Sequence, residues 1–281
     1  MATTAVPDAP AQFPRLPPRL AAEHGDWTGA LRLRAFPQTR EDLDIDLDDA
    51  GTPRIVTAIL ARCALRADGE PVDPRFLWGL EVGARIECIL RVAALSGPGS
   101  FALRVRCPNG GCGQALEFDL TLDELLSLRH EGDGPIVAKV GGAVRTLRAP
   151  TGEDQLALAA DEFDDLEDAV RGLAVSLLEE PEHLPLSDAD VEAIELSLTE
   201  YDPLVELSVR TACPHCGAEG EYEVDLTDLA LGALREARDT LISDVHTLAS
   251  RYHWTESEIL SIPPRRRARY LALNERARSA G

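Results

Sequence analysis

The stretches FALRVRCPNGGCGQALEFDLT at 101–121 and VELSVRTACPHCGAEGEYEVDLT at 205–227 share one order of features. Each contains alternating apolar and polar residues, a turn with Pro between two cysteines, a Cys-Gly pair, a second alternating stretch and Asp-Leu-Thr. Alternation indicates a half-buried strand, and Gly supplies the backbone conformations of a tight turn. The sequence therefore predicts two β-hairpins, each with two cysteines at its turn.

The two turns together supply four thiols, the number of ligands in a structural zinc site. The predicted ligands are Cys107, Cys112, Cys213 and Cys216. Four residues separate the first two cysteines, where two is the commoner spacing, and the permissive backbone of Gly110 and Gly111 can absorb the extra length. We therefore expect one structural Zn²⁺ that joins the hairpins into a split zinc ribbon. The alternative is a set of reduced turn cysteines that bind nothing.

The run Cys213-Pro214-His215-Cys216 also matches thiol–disulfide oxidoreductases, in which the first cysteine begins a helix that lowers its pKa. Here Gly217 follows directly, and residues 220–226 alternate as in a strand. A redox enzyme would also not need the matching turn at 107–112. Redox chemistry at Cys213 and Cys216 is therefore kept only as a further alternative.

The similarity between the two halves extends beyond the cysteines. The run LRAFP at 33–37 is echoed by LRAP at 147–150, and each precedes an acidic stretch and a helix-like apolar segment, at 55–65 and 169–178. The second copy follows the first by 114 residues at this run and by 106 residues at the first cysteine. Such a steady offset indicates a tandem duplication. Because each copy has two cysteines, the metal would join the copies, and its binding energy would be folding energy.

These patterns predict an α+β protein with two related α/β units, each ending in a hairpin zinc knuckle, and a C-terminal helical hairpin. The predicted parts are a flexible N-terminal arm at 1–23, a first unit at 24–130, a linker at 131–143, a second unit at 144–228 and a C-terminal helical segment at 229–281. The arm is expected to be flexible because its first 20 residues contain five prolines and little periodicity.

Composition narrows the class of protein. A chain of 281 residues can bury a sizeable core and hold two domains. It has no long apolar run and no apolar signal segment at its start, so we expect neither membrane insertion nor secretion. A net charge of −21 argues against nucleic-acid binding. Cysteines at metal spacing favour a reducing cytosol, and Cys63 and Cys88, which lie in apolar stretches, are expected to be buried.

The sequence contains no recognisable catalytic motif. It has no glycine-rich phosphate loop, no H-E-x-x-H and no G-x-S-x-G. A zinc ion with four thiolate ligands has no open position for water or substrate. We therefore expect a protein that is not an enzyme and has no small-molecule substrate.

From Leu229 onward the pattern is helical. The apolar face of this amphipathic helix consists of Leu234, Leu241, Ile242, Val245, Leu248, Ala249 and Tyr252. The helix is expected to pack on the zinc-bearing body or on a partner. Thr255 and Glu258 have the spacing of a capping box for a second helix. Two prolines then precede a basic helix predicted from Arg265 to Asn274.

The run DVHTLASRYHWTESEILSIPPRRRARYLALNE at 244–275 resembles the end of a family of phage baseplate assembly proteins, related to the T4 phage baseplate hub and hub-chaperone proteins. The resemblance rests on a helical histidine, an aromatic cluster, an acidic-then-aliphatic turn, a proline and a basic helix. It implies a helix-turn-helix docking surface. The candidate surface residues are His246, Tyr252, His253, Trp254, Ile259, Leu260, Arg266 and Arg269.

The resemblance implies a baseplate component, or an assembly chaperone, of a tailed phage or a contractile injection system. Its partners would be tail or baseplate subunits, and the protein would be cytoplasmic or incorporated in the particle. One alternative is a zinc-ribbon adaptor in transcription or replication, which would bind nucleic acid or a polymerase with strong salt dependence. The second alternative is the thiol–disulfide oxidoreductase that would use Cys213 and Cys216.

Overall fold

The computed structural model describes residues 11–12, 31–48, 51–66, 68–128, 134–160, 165–180 and 185–279. The strands are β1 Ala11–Gln12, β2 Arg32–Leu33, β3 Ala64–Leu65, β4 Ser100–Arg106, β5 Ala115–Thr121, β6 Ile136–Val140, β7 Ala143–Leu147, β8 Leu207–Ala212 and β9 Glu219–Val224. The helices are α1 Arg40–Leu43, α2 Thr52–Cys63, α3 Pro74–Gly79, α4 Val82–Ser96, α5 Leu122–Ser127, α6 Gly152–Ala160, α7 Leu166–Leu177, α8 Asp188–Tyr201, α9 Leu226–Tyr252, α10 Glu256–Leu260 and α11 Pro264–Ser279.

The protein is a mixed α+β fold with small antiparallel sheets, as predicted from the sequence. Strands β1, β2 and β3 form one sheet, and β4–β5, β6–β7 and β8–β9 are separate two-stranded hairpins. The hairpins β4–β5 and β8–β9 coincide with the two cysteine-containing stretches. Their registers run from Ser100 opposite Thr121 and from Leu207 opposite Val224 to the cysteine turns.

The larger hydrophobic core is built mainly from the first unit, which we define as the described residues between 31 and 128. Helix α2 begins after Gly51 with Pro53 in its first turn, a favoured position for proline. Its buried face and nearly the whole of α4 pack in this core. The buried apolar residues of α2 are Ile55, Val56, Ile59, Leu60 and Cys63. Cys63 and Cys88 are both fully buried, which confirms the prediction for these two thiols.

The second unit, residues 134–224, has a smaller core of its own. Strand β6 alternates buried and exposed residues, and its inward residues Ile136, Ala138 and Val140 pack against α7 and α8. Asp165 and Ser187 cap the two helices through their side chains. The predicted linker at 131–143 thus contains β6, and three of its residues, Ile136, Ala138 and Val140, belong to this core.

The two units make the same backbone contacts at equivalent positions. The amide of Arg34 donates to the carbonyl of Cys63 at 3.0 Å, and the amide of Arg148 donates to the carbonyl of Leu177 at 2.9 Å. Arg148 follows Arg34 by 114 positions, and Leu177 follows Cys63 by the same number. Helices α2 and α7 each contain 12 residues. In each unit, the residue directly after a strand, β2 or β7, therefore donates a hydrogen bond to the last residue of the 12-residue helix.

Helix α9 connects the second hairpin to the core of the first unit. It begins at Leu226, three residues before the predicted start, because the Asp225 side chain accepts a hydrogen bond from the Asp228 amide and caps it. Four residues from the start of α9 belong to the larger core: Leu226, Ala230, Leu231 and Leu234. The helix thus packs on the body of the protein, the first of the two expected locations.

The buried face of α9 is narrower than predicted. Leu234, Leu241 and Leu248 are buried at intervals of seven residues, whereas Ile242 is 49% exposed. A seven-residue interval advances an α-helix by almost two full turns, so these leucines form a single stripe. Ile242, one position further round, lies outside it.

The C-terminal segment has the predicted helical turn. Thr255 and Glu258 form a capping box, with the Thr255 amide donating to the Glu258 carboxylate at 2.8 Å and the Glu258 amide donating to Thr255 Oγ1 at 3.3 Å. The last helix is longer than predicted, from Pro264 to Ser279.

Apart from Ala11 and Gln12, the predicted N-terminal arm lies outside the described residues. These two residues pair with Leu33 and Arg32, so the arm is not free along its whole length. None of the helices in the described ranges has the length and hydropathy needed to span a membrane.

Candidate metal centre

Four cysteines from two hairpins converge at one point. The sulfurs of Cys107 and Cys216 lie 3.6 Å apart, and those of Cys112 and Cys213 lie 3.9 Å apart. All four sulfurs are within 4.8 Å of one another. The closest pairs therefore link one hairpin to the other. This group could hold a metal ion.

Backbone hydrogen bonds set the position of each turn. The amide of Cys107 donates to the carbonyl of Gln114 at 2.9 Å, and the amide of Cys213 donates to the carbonyl of Ala218 at 2.8 Å. A glycine follows the last cysteine of each turn, and Gly113 and Gly217 have φ angles of +57° and +73°. Glycine occupies this left-handed region without the steric cost that other residues incur. Both Cys-Gly pairs thus allow the chain to reverse and to direct its thiols inward.

The cluster lies at the surface, with an apolar side. Cys107 and Cys213 are buried, Cys112 is half-buried and Cys216 is exposed. Apolar side chains from both hairpins pack around the two buried cysteines: Val105, Leu116, Ala218 and Tyr222. The apolar side limits access of water to two of the sulfurs, and the Cys216 side remains open to solvent.

Asn109 is a contributor that we did not single out from the sequence. Its side-chain amide lies 3.8 Å from the Cys216 sulfur, within reach of a weak N–H···S hydrogen bond. Its carbonyl accepts from the amide of Cys112 at 2.8 Å, and its side-chain oxygen accepts from the amide of Gly111 at 3.0 Å. Asn109 therefore shapes the longer turn and also contacts a thiol of the other hairpin. Its place between two cysteines, in an Asn-Gly sequence typical of turns, is the signal that could have revealed it.

The electrostatic environment favours thiolate at one of these positions. Burial raises the pKa of the Cys213 thiol, but hydrogen bonds from the backbone amides of His215 and Cys216 and from neighbouring thiols outweigh it, and the pKa falls to about 7. Burial raises the pKa of the Cys107 thiol. Thiolate is the form of cysteine that binds a metal, so the surroundings of Cys213 favour the metal-binding form of its side chain.

The environment of Cys213 differs from that of a redox cysteine at the start of a helix. Strand β8 ends at Ala212, the amide of Gly217 donates to the carbonyl of Cys213 at 2.8 Å, and β9 begins at Glu219. Residues 207–224 are thus strand, turn and strand. A helix macrodipole, one cause of a strongly lowered cysteine pKa, does not act on Cys213.

The aromatic residues proposed for docking form a cluster at the end of α9. The rings of Tyr252 and Trp254 stack with centroids 4.6 Å apart. Tyr270, which we did not select from the sequence, contacts both rings edge-on, at 5.9 Å from Tyr252 and 5.2 Å from Trp254. Tyr252 and Trp254 are half-buried. The three rings thus hold α11 against the end of α9.

The other candidate docking residues are divided between core and surface. His253 is exposed and ends α9 with a left-handed φ of 57°. Ile259 is fully buried and Leu260 is half-buried. Arg266 and Arg269 are exposed on α11, as is His246 on α9. The exposed residues could contact a partner without rearrangement, whereas Ile259 is buried inside the protein.

Comparisons of the chain with protein-family models, curated proteins and solved structures found no match.

Proposed function

We propose that the four cysteines bind one structural Zn²⁺ and that the two hairpins form a split zinc ribbon. Zn–S bonds of about 2.3 Å in a tetrahedron place the sulfurs about 3.8 Å apart. The sulfurs of the two closest pairs are 3.6 and 3.9 Å apart and all four lie within 4.8 Å, so zinc could be bound after the wider pairs close by up to about 1 Å. Four thiolates fill the coordination sphere, and such sites support structure.

We infer further that the two units arose by duplication and that the metal joins them. In support, the Arg34–Cys63 and Arg148–Leu177 hydrogen bonds are separated by the same 114 positions. The side chains of Arg34 and Arg148 also each make two hydrogen bonds to one aspartate, Asp42 and Asp154 respectively. Because each unit contributes two thiols, zinc would bind fully only when the hairpins meet.

The function that these features support best is non-enzymatic protein recognition. The observation that supports this proposal is the cluster of four thiols: with all four bound to one Zn²⁺, the ion would have no ligand position for a substrate. The setting comes from the C-terminal resemblance: a component or assembly chaperone of the baseplate of a contractile phage-tail-like particle. Arg266 and Arg269, exposed beside the aromatic cluster, would contact a tail or baseplate subunit, since arginine is enriched among residues that dominate interface energies.

The test is quantitative mass spectrometry of contractile particles and of the soluble fraction, from wild-type and deletion strains of the native host. Fixed stoichiometry in the particle would identify a structural component. Absence from finished particles, combined with failure of assembly in the deletion strain, would identify a chaperone. Normal particles in the deletion strain would refute the baseplate proposal. Complementation with the double variant R266A/R269A should restore assembly poorly, while wild-type protein restores it fully.

A further inference from the structure

The second unit has an apolar groove between its two long helices. The groove has a volume of about 370 Å³; α7 and α8 form its floor, and Val82 and Gly83 at the start of α4 of the first unit line one side. The apolar floor residues are Val170, Leu173, Ala174, Leu177, Val191, Ile194 and Leu198. Val170 is 43% exposed, and Val205, at the edge of the groove, is 45% exposed. A concave apolar groove is the geometry in which proteins bind an amphipathic helix, whereas single exposed apolar residues are common.

The equivalent residues of the first unit are covered. An offset of 114 relates Val170 and Leu173 to Val56 and Ile59 of α2. An offset of 106, that of the cysteines, relates Leu198 to Val92 of α4. Val56 is 4% exposed, and Ile59 and Val92 are fully buried. They share one core with side chains from α3 and α9, namely Phe76, Leu77, Leu226, Ala230, Leu231 and Leu234.

The difference between the units follows from chain length and connectivity. The first unit has 18 residues between the end of α2 and the start of α4, and they include α3. The second unit has only 10 residues between the end of α7 and the start of α8, too few for the same loop and helix. Helix α9 follows the second hairpin but packs on α2 and α4 of the first unit. Among the residues that the structure describes, no helix covers the α7–α8 groove as α3 and α9 cover its counterpart.

Charge around the groove indicates which kind of helix would bind there. Glu195 and Glu206 line the groove and are exposed. At the first unit, α9 brings two arginines to an acidic edge: Arg235 lies 3.3 Å and Arg238 lies 3.5 Å from carboxylate oxygens of Asp48. A helix bound in the second groove would meet Glu195 and Glu206 in a chain whose net charge is −21. Basic residues beside its apolar stripe would therefore favour binding.

We propose that the α7–α8 groove is a docking site for an amphipathic helix of a partner protein, with an apolar stripe like that of α9 and basic residues at its edges. The helix would cover Val170, Leu173 and Leu198 as α9 and α3 cover their equivalents in the first unit. This surface is separate from the cysteine cluster and from the C-terminal aromatic cluster. The proposal therefore does not depend on zinc or on the baseplate assignment.

The probe is a fluorescent synthetic peptide with the sequence of residues 226–238, the part of α9 that enters the first core. Its binding to the purified full-length chain is measured by anisotropy. A second peptide carries the changes Asp228→Lys and Glu236→Lys, which make its edges basic. We expect saturable binding of both peptides, with the basic peptide at least about threefold tighter at low salt, because the groove edge is acidic. A peptide with Leu231→Asp and Leu234→Asp should not bind.

The site is tested by Val170→Glu in the full chain, with Leu196→Glu as the matched control. Both residues are exposed, so neither change should unfold the protein; Val170 lines the groove, whereas Leu196, on α8, does not. V170E should weaken binding of the basic peptide at least about tenfold, equivalent to about 1.4 kcal/mol, and L196E should not. No binding, or equal binding to V170E and wild type, would overturn the proposal. Self-association of the chain that V170E abolishes would also overturn it, by identifying a second copy as the occupant.

Discussion

The sulfurs of Cys107 and Cys216 lie 3.6 Å apart, although 109 positions separate these residues in the chain. No secondary-structure element connects them directly, because each belongs to the turn of a different hairpin. The contact therefore joins the two halves of the protein at one point. We propose that a metal ion joins the two halves at this point. Elsewhere they are joined by the hydrophobic core that α9 shares with the first unit.

The glycines that follow the second cysteine of each turn should be sensitive to substitution. Gly217 has a φ of +73°, and an alanine there costs about 1–2 kcal/mol in this region of backbone conformation. We expect Gly217→Ala to lower the free energy of unfolding by that amount, measured by urea denaturation, and to weaken metal binding. Gly110→Ala is the matched control, because an added Cβ there meets no atom within 4 Å and its φ is not in the left-handed region. Equal losses in the two variants would contradict this assignment.

The two Arg–Asp pairs should differ in strength because they differ in burial. The Asp42 side chain is fully buried, with Arg34 Nη2 at 2.7 Å, whereas the Asp154 side chain is 14% exposed, with Arg148 Nη1 at 2.6 Å. Loss of the Asp42 charge leaves the Arg34 guanidinium without its carboxylate counter-charge, so Asp42→Asn should cost roughly 3 kcal/mol of unfolding free energy, and Asp154→Asn should cost less. Glu117→Gln, which breaks the exposed Arg104–Glu117 pair, should cost under about 0.5 kcal/mol.

These pairs also predict how stability depends on pH. Burial raises the pKa of Asp42, but its hydrogen bonds from Arg34 and from the backbone amides of Gln38 and Thr39 outweigh that effect, and the pKa lies below its ordinary value. The folded protein then binds fewer protons than the unfolded chain, so this stabilisation is complete above the ordinary pKa of about 4. It is lost as pH falls through the lowered pKa. Denaturation between about pH 5 and pH 2 should show a steep loss of stability for wild type and a shallower one for D42N. Identical slopes would refute this role.

Substitutions in the C-terminal segment should distinguish residues that stabilise the fold from residues that bind a partner. Trp254 contacts the rings of Tyr252 and Tyr270, so Trp254→Ala should destabilise the packing of α11 by about 2 kcal/mol. Hydrogen exchange of the α11 amides would measure this effect as faster exchange. Arg269→Ala, at an exposed site, should leave exchange unchanged. If R269A accelerated exchange as much as W254A, the division between core and docking residues would be wrong.

Local patterns predicted the hairpins, the four cysteines and the capping box well, because each depends on short-range chemistry. Cysteine spacing and Cys-Gly turns specify where thiols can meet, and Thr255 and Glu258 specify a helix start. The packing of α9 on the first unit could not be predicted in the same way. Its apolar stripe shows that one face is buried, but it does not identify the surface that buries it. The prediction that Ile242 lies on the buried face of α9 is wrong for the same reason. Which residues beside Leu241 and Leu248 are buried depends on the surface that α9 contacts.

The role of Asn109 and the open groove of the second unit also needed the structure. Asn109 in the sequence is one turn residue among several, and its contact with Cys216 depends on how the hairpins meet. The exposure of Val170 depends on the shorter connection between α7 and α8 and on the path of α9. Both are consequences of tertiary arrangement, which a residue pattern along the chain does not encode.

The most direct test of the central claim is the metal content of the full chain, purified without chelator and measured by elemental mass spectrometry together with the number of reactive thiols. We expect one zinc per chain, its loss in Cys107→Ser and in Cys213→Ser, and its retention in Cys63→Ala, because Cys63 is buried away from the cluster. The bound form should protect all four cluster thiols from modification. Less than about half an equivalent of zinc, with rapid modification of Cys213, would contradict the account.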